Sequence, residues 1–379
     1  MLLINNCRVC GKKFNSKSTL YLRNIPGDAQ SFSVALPQKK YLKDLALMEC
    51  SGCGLSQLRT PPVSYYKDVV RANAFSKDMQ SFRKRQLIKW KKNYLNQTSK
   101  VLEIGAGKGE YIKLLNDIQI NAFGIENSIT NIRLSSISQK IQRGYLQAEA
   151  PLLKHGPFDA FVSFNFLEHW PDPSSVFTGL RKNLNKTAFG LIEVPNFEMM
   201  VQKKMYSEFI PDHLFYFTKD TLKRTLELNG FDVIKISTIW HNYILSAEVE
   251  LRKTTDLSHF QVHQKYLQDQ LYQFIKYHDK HPIVVWGAGH QALTTISMSQ
   301  ISKRIAYIVD SAPFKQGKYA PGCNLLVYSP LQLEKDQIQS LIIMGAGYSD
   351  EILKLVRKKY NHILNIAVLK EDHLEIIYG

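Results

Sequence analysis

The sequence predicts an α/β protein with a Rossmann-like core, a second Rossmann-like α/β domain behind it and a cysteine-bearing head in front. Three observations carry this. Short buried-strand patterns alternate with helical ones from 100 to about 245, the signature of a parallel sheet with crossover helices. A strand running into a glycine turn and then a helix occurs at Val101–Gly109 and again at Trp286-Gly287-Ala288-Gly289-His290. Four of the five cysteines fall in two tight pairs, Cys7/Cys10 and Cys50/Cys53.

Taken in order, the head closes at the breaker Pro61-Pro62. A helical lead-in, rich in Lys, Arg, Gln and Met, follows over about 65–97. Strands are expected at Lys100–Ile104, Ala122–Glu126, Ala160–Phe164, Gly190–Val194 and Phe231–Ser237, with a helix from Glu110. A linking helix is expected over 250–280, and His281-Pro282 marks the next boundary. The second strand–turn–helix series then runs to Leu369. This gives three domains, 1–62, 63–248 and 249–379, in agreement with a length of 379 residues, too great for one ordinary core.

Composition is that of a globular protein, 44% hydrophobic and 22% charged. No apolar run reaches the roughly 18–20 residues of a membrane span, and the first residues lack the basic and apolar regions of a secretory signal. A cytoplasmic protein, monomer or homodimer, is therefore expected. The formal charge of +16 favours polyanions or small anionic substrates. The basic residues are dispersed and the head is only modestly basic, which weighs against nucleic acid and leaves a phosphorylated small molecule.

In a reducing compartment the cysteine pairs read as a metal site rather than disulfides. Cys7-Arg8-Val9-Cys10-Gly11 and Cys50-Ser51-Gly52-Cys53-Gly54 are two knuckles that bring four thiolates to one ion. Four thiolates leave no open position, so a zinc ion at Cys7, Cys10, Cys50 and Cys53 is expected to be structural.

In the first glycine turn, Gly105, Gly107 and Gly109, with Ala106 between, let backbone approach a ligand without Cβ clashes. Dinucleotide folds use the same device, so the glycines alone leave NAD open. S-adenosylmethionine (SAM) is favoured by Glu103 two residues before the first glycine, and by Glu126 ending the second strand, where a carboxylate can take ribose hydroxyls. It is also favoured by the segment Phe164-Asn165-Phe166-Leu167-Glu168-His169-Trp170-Pro171-Asp172-Pro173.

On these motifs the stretch 100–240 resembles class I SAM-dependent methyltransferases. The resemblance implies cofactor contacts from Glu103, Gly105, Ala106, Gly107, Gly109, Glu126 and Asn127, from Gln147 and Ala148 at the adenine, and from Asn165, Phe166 and Leu167. Gln147 departs from the usual aspartate. The whole chain, with its long segment Val309–Gly322, resembles the three-domain zinc-containing sugar C-methyltransferases of deoxysugar biosynthesis. That family implies a nucleotide-linked keto sugar as substrate, deprotonated beside its ketone so that the enolate attacks the SAM methyl. The implied base is His213, with Asp212 in place of the family's glutamate and Ile210 in place of its tyrosine. Tyr216 is the candidate to compensate, His169 lies on the same rim, and Arg71 stands where another family tyrosine is expected. Glu193 and Asn196, ending the fifth strand, are candidates for sugar hydroxyls. The missing tyrosines leave transfer to oxygen or nitrogen open. A zinc-headed nucleic-acid methyltransferase and a SAM-sensing module are the competing readings.

Overall fold

The computed structural model describes residues 3–14, 19–27, 34, 36, 41–68 and 76–378. Arg71 lies outside these residues. The chain forms two compact units, Met1–Lys253 and Thr254–Gly379.

The first unit begins with β1 (Leu20–Pro26), β2 (Leu42–Glu49) and β3 (Ser56–Leu58), an antiparallel ladder in a head whose sequence shows little strand periodicity. Helix α1 (Lys77–Tyr94) starts where Ser76 Oγ accepts from Met79 N, and it buries the stripe Arg83, Leu87 and Trp90. There follow β4 (Lys100–Ile104), α2 (Glu110–Asp117), β5 (Asn121–Glu126), α3 (Ile129–Arg133), β6 (Ile141–Arg143) and β7 (Phe158–Phe164). Helix α4 (Pro173–Arg181) is opened by Asp172, whose carboxylate accepts from Ser175 N, and by Pro173 at its first turn. The unit closes with β8 (Leu184–Pro195), α5 (Phe197–Gln202), β9 (Phe215–Tyr216), α6 (Lys219–Leu228), β10 (Phe231–Ile239) and β11 (Ile244–Leu251).

The main sheet runs β10-β11-β8-β7-β4-β5-β6. All five expected strands are present, but the sheet is mixed: β11 is antiparallel to both β8 and β10. β11 is entered from β10 through a tight turn at Trp240–Tyr243, which makes the two strands a hairpin. The direction of strand addition reverses at β4, which lies between β5 and β7. In an open α/β sheet this places a ligand crevice outside the carboxyl ends of β4 and β7.

The head shares this unit's core. Cys7, Cys50, Cys53 and Leu55 pack in one apolar cluster with Leu167, Leu214, Phe217 and Leu222. The contact is also made by backbone: β3 pairs with β9, Ser56 opposite Tyr216 and Gln57 opposite Phe215, and Leu58 N donates to Leu214 O at 2.9 Å.

The second unit comprises α7 (Ser258–Tyr277), β12 (Ile283–Trp286), α8 (His290–Met298), β13 (Tyr307–Val309), β14 (Val327–Tyr328), α9 (Gln332–Lys335), β15 (Ser340–Ile343), α10 (Ser349–Lys359), β16 (Asn365–Leu369) and β17 (Leu374–Tyr378). Its sheet order is β14-β13-β12-β15-β16-β17, parallel except for β17. Gly287 has φ 121°, and a Cβ there would stand 2.4 Å from Met344 O. Asp310, at the position of a ribose acid, instead accepts from Ala288 N, Ala312 N and Lys315 Nζ. Its carboxylate pins the Gly287 turn from within.

One buried ion pair fastens α1 to the main sheet. The Arg83 guanidinium meets the Glu193 carboxylate with neither side chain exposed, and it lies 4.7 Å from the Phe164 ring centroid. Gln86 Nε2 and Ser246 Oγ also donate to Glu193, at 2.6 and 3.0 Å. Truncating Arg83 would strand a buried carboxylate, so Arg83→Met is expected to cost about 3–5 kcal/mol in urea denaturation, and the double variant Arg83→Met/Glu193→Leu to recover most of it.

Candidate functional site

The crevice at the reversal point is built from the ends of three strands. After β4, Gly105 takes φ 72°, and a Cβ there would meet the Phe166 ring at 2.6 Å. Only glycine lets this turn pass beneath the aromatic side chain. Gly107 N donates to Glu126 Oε2 and Ser128 N to Glu126 Oε1, both at 2.8 Å. The carboxylate at the end of β5 thus holds the glycine turn while facing the crevice, and each oxygen keeps further lone pairs for hydroxyl donors. Glu103 is buried one turn earlier on β4, and Ala106 is buried between the glycines. Gly109, at φ 81°, opens α2.

Glu126, Asn127, Tyr145, Leu146, Phe166 and Trp170 line the crevice with Gly105. The expected adenine residues fall beyond it: the Gln147 side chain is exposed and Ala148 N donates to Ser175 Oγ at 3.0 Å. Tyr145 and Leu146, two residues earlier, take the wall, because the Gln147 backbone packs against Gly179 of α4. Lys67 lies at the crevice too, 5.1 Å from the Tyr145 ring centroid, and Asn127 Nδ2 donates to Asp68 Oδ1 at 2.8 Å. These contacts of the 65–68 turn join residues far apart in sequence. Asn165 turns the chain after β7 at φ 49°, Phe166 covers Gly105, and Leu167 is buried in the core.

Behind Phe166 the chain makes a short 3₁₀ turn, Leu167–His169, and this turn grips the segment containing His213. Leu214 N donates to Glu168 O at 2.8 Å, and His169 Nδ1 donates to Asp212 O at 2.8 Å. His213 is thus held by backbone bonds on either side, with its ring edge-on to His169 and centroids 4.8 Å apart. The accepting carbonyl fixes the His169 tautomer, leaving Nε2 its lone pair. Burial lowers the His169 pKa to about 4. Burial, then His169, holds His213 well below the ordinary imidazole range. Both rings are therefore neutral at physiological pH. Asp212 is buried beside them. The Tyr216 hydroxyl accepts from Ile210 N at 3.2 Å, so this side chain shapes the 210–213 turn from inside.

Glu193 and Asn196 have other partners than sugar hydroxyls. Glu193 is the fully buried mate of Arg83, and Asn196 caps α5 through Glu198 N while donating to Asn242 O. The sequence placed them on the rim; their burial sets them beneath it.

In the head, Cys7 Sγ and Cys53 Sγ are 3.7 Å apart, Cys10 Sγ and Cys50 Sγ 3.5 Å, and all four lie within 4.8 Å of one another. A tetrahedral zinc with bonds of about 2.3 Å gives sulfur–sulfur edges of about 3.8 Å, so the cluster fits the ion. The two knuckles repeat one geometry: Gly11 N donates to Cys7 O and Gly54 N to Cys50 O, with both glycines at positive φ. Gln57 Nε2, Val9 N and Gly52 N point at the sulfurs, donors suited to thiolate charge.

With this geometry in hand, comparison with known proteins is informative. Residues 79–236 match a methyltransferase domain family, and residues 243–368 match the C-methyltransferase C-terminal domain. The C-methyltransferase NovU of Streptomyces niveus is 20% identical over 92% of this chain and 91% of its own. Over these two regions the chain is similar to C-methyltransferases. It is a SAM-dependent methyltransferase with the class I fold. Among solved structures, magnesium protoporphyrin IX methyltransferase from Synechocystis PCC 6803 is 16% identical, with a TM-score of 0.37 over 49% of this chain and 91% of that one. A SAM-dependent methyltransferase from Aquifex aeolicus is 14% identical, with a TM-score of 0.37 over 46% of this chain and 92% of that one. No helix among the described residues is long and apolar enough to cross a membrane.

The methyltransferase has one buried acid that sequence reasoning passed over. Glu168 is 1% exposed, neither carboxylate oxygen has a hydrogen-bond partner, and burial, then the nearby Asp212 charge, raises its pKa to about 8. Its place between two expected site residues, Leu167 and His169, was the available signal. In the unfolded chain this acid ionises near 4.5 and the histidines near 6.5. From about pH 7.5 upward, where the unfolded histidines have lost their protons, Glu168 is the one of the three that differs in protonation, and the folded state holds the extra proton. Its contribution to stability is complete below pH 4.5 and is lost as pH rises toward 8, by about 1.4 kcal/mol per pH unit at most. Denaturant titrations at pH 6.5 and 8 should show this loss in the wild type, and Glu168→Gln should lose less.

Proposed function

We propose that this methyltransferase transfers a methyl group to a carbon beside the ketone of a nucleotide-linked keto sugar, with His213 as the base. The reading is carried by the neutral imidazole of His213, fixed by the backbone bonds of residues 212 and 214 to the turn that ends the cofactor crevice. SAM, when bound, supplies an electrophilic methyl group on a sulfonium. The crevice residues would hold it through Glu126 toward the ribose, the glycine turn of 105–109 and the apolar wall of Leu146 and Trp170.

The residues then divide the work. His213 accepts the proton from the carbon beside the ketone, and the resulting enolate carbon forms the bond to the methyl group. Alignment counts for more than activation, because acceptor and donor meet in fixed orientation. Asp212 and His169 position His213: the Asp212 carbonyl fixes the His169 tautomer, and the His169 ring supports His213 edge-on. The positive surface suits a pyrophosphate link. Cys7, Cys10, Cys50 and Cys53 would hold a structural zinc ion, and through β3 that ion would brace the His213 segment.

Incubation with methyl-labelled SAM and a panel of nucleotide-linked keto sugars tests the reaction. Label should appear in one sugar at carbon, and His213→Ala should lower turnover by about 10²–10⁴-fold while SAM binding persists. Label on oxygen or nitrogen, or in nucleic acid alone, would overturn the proposal. For the head, metal analysis should find one zinc per chain, and Cys50→Ser should release it and lower the melting temperature of the first unit.

A further inference from the structure

A buried titratable group outside that mechanism, Glu168, sits against the base. Glu168, His169 and His213 each offer a ligand or proton-binding atom, and these atoms lie within 4.8 Å of one another. Glu168 makes no hydrogen bond through either carboxylate oxygen although its side chain is almost fully buried. Such a group costs stability without return unless the site uses it, since buried acids ordinarily satisfy their oxygens with backbone or side-chain donors. Its own main chain is fixed, with Glu168 O accepting from Leu214 N, so the carboxyl is held on the same turn that grips the base.

We infer that Glu168 is the terminal proton acceptor behind His213, taking over the proton that the imidazole removes from the acceptor carbon. This rests on the assignment of His213 as base. In the reacting state Glu168 is ionised and His213 neutral. The carbon–hydrogen bond breaks and a nitrogen–hydrogen bond forms on His213. The enolate carbon takes the methyl group as the carbon–sulfur bond of SAM breaks, leaving S-adenosylhomocysteine. The proton then passes from imidazolium to the Glu168 carboxylate, directly or through one water, and leaves to solvent before the next cycle. Nothing is oxidised or reduced. The other titratable groups facing Glu168 are His169 on its own turn and Asp212 and His213 on the facing segment. Asp212 places a second carboxylate close by, which makes Glu168 a ready proton acceptor and a poor place for a permanent negative charge.

Glu168 acts through His213 and needs no contact with the substrate. The test uses Glu168→Gln, which keeps the volume and removes the exchangeable acid. Infrared difference spectra of the full-length protein between pH 6 and pH 9 should show a buried protonated carboxyl that disappears on raising the pH, absent in Glu168→Gln. This arm uses no acceptor, so it stands or falls apart from the sugar assignment. With labelled SAM and the keto-sugar panel, wild-type turnover should rise through the same transition. Glu168→Gln should lose that rise and at least tenfold in turnover, with its KM for SAM and near-UV circular dichroism unchanged. A missing carboxyl band, or a variant with the wild-type rate and pH profile, would refute the inference. So would a second metal ion beyond the cysteine site that Glu168→Gln removes, since the trio would then be a cation site.

Discussion

The segment from Ile210 to Phe217 is held from two sides, and the position of the His213 ring depends on that grip. From the head, β3 pairs with β9 and Leu58 N bonds Leu214 O. From the main sheet, the turn after β7 bonds Leu214 N and the carbonyl of Asp212. His213 lies between these attachments. A loop with so few residues of its own structure would otherwise carry this imidazole on a mobile tether. The head can serve as a wall because it shares apolar contacts with Leu214 and Phe217, and a zinc ion at the four cysteines would add a crosslink to a segment with a sparse core of its own. Gln57 joins the two functions, its side chain donating to Cys7 Sγ and its backbone pairing with Phe215.

A buried ion pair and a buried acid in the first unit follow opposite logic. Arg83 and Glu193 are both fully buried but mutually neutralised, and Gln86 and Ser246 satisfy the carboxylate further. That arrangement fastens α1 to β8 and leaves no titratable capacity over. Glu168 is equally buried with neither a cation nor a hydrogen-bond donor on its oxygens. The first pair is architecture, and it accounts for the failure of Glu193 as a substrate ligand. The second is the pattern expected where a proton has to be moved.

Much of the fold was legible because the strands of a buried parallel sheet are short apolar runs ending in glycine or acid, as at Ile104-Gly105 and Glu126. The strands that escaped are those whose periodicity depends on what covers them. β6 is three residues long, β11 belongs to a hairpin, and the head strands pair across a segment of mixed polarity. In the site, residues anchored to a local motif were readable: the four cysteines converge, and Gly105, Glu126 and Phe166 meet around one crevice. Residues brought in by tertiary packing were not. Lys67 and Tyr145 reach the crevice from different elements, and the wall falls at Tyr145-Leu146 because Gly179 admits the backbone of the next residue. Sequence spacing fixes which residues lie near a strand end, while packing decides which of them faces the ligand.

The departures at Ile210 and Asp212 take on a different meaning in this setting. A tyrosine at 210 could donate a proton or a hydrogen bond toward the acceptor, and isoleucine cannot. Tyr216 does not replace it from its position in the structure, because its hydroxyl is bound to the backbone of Ile210. What remains in the segment is a shorter acid, a neutral imidazole and, behind them, the unpartnered Glu168. The ionisable groups thus lie on the side of the 168–169 turn, while residue 210 contributes an apolar side chain.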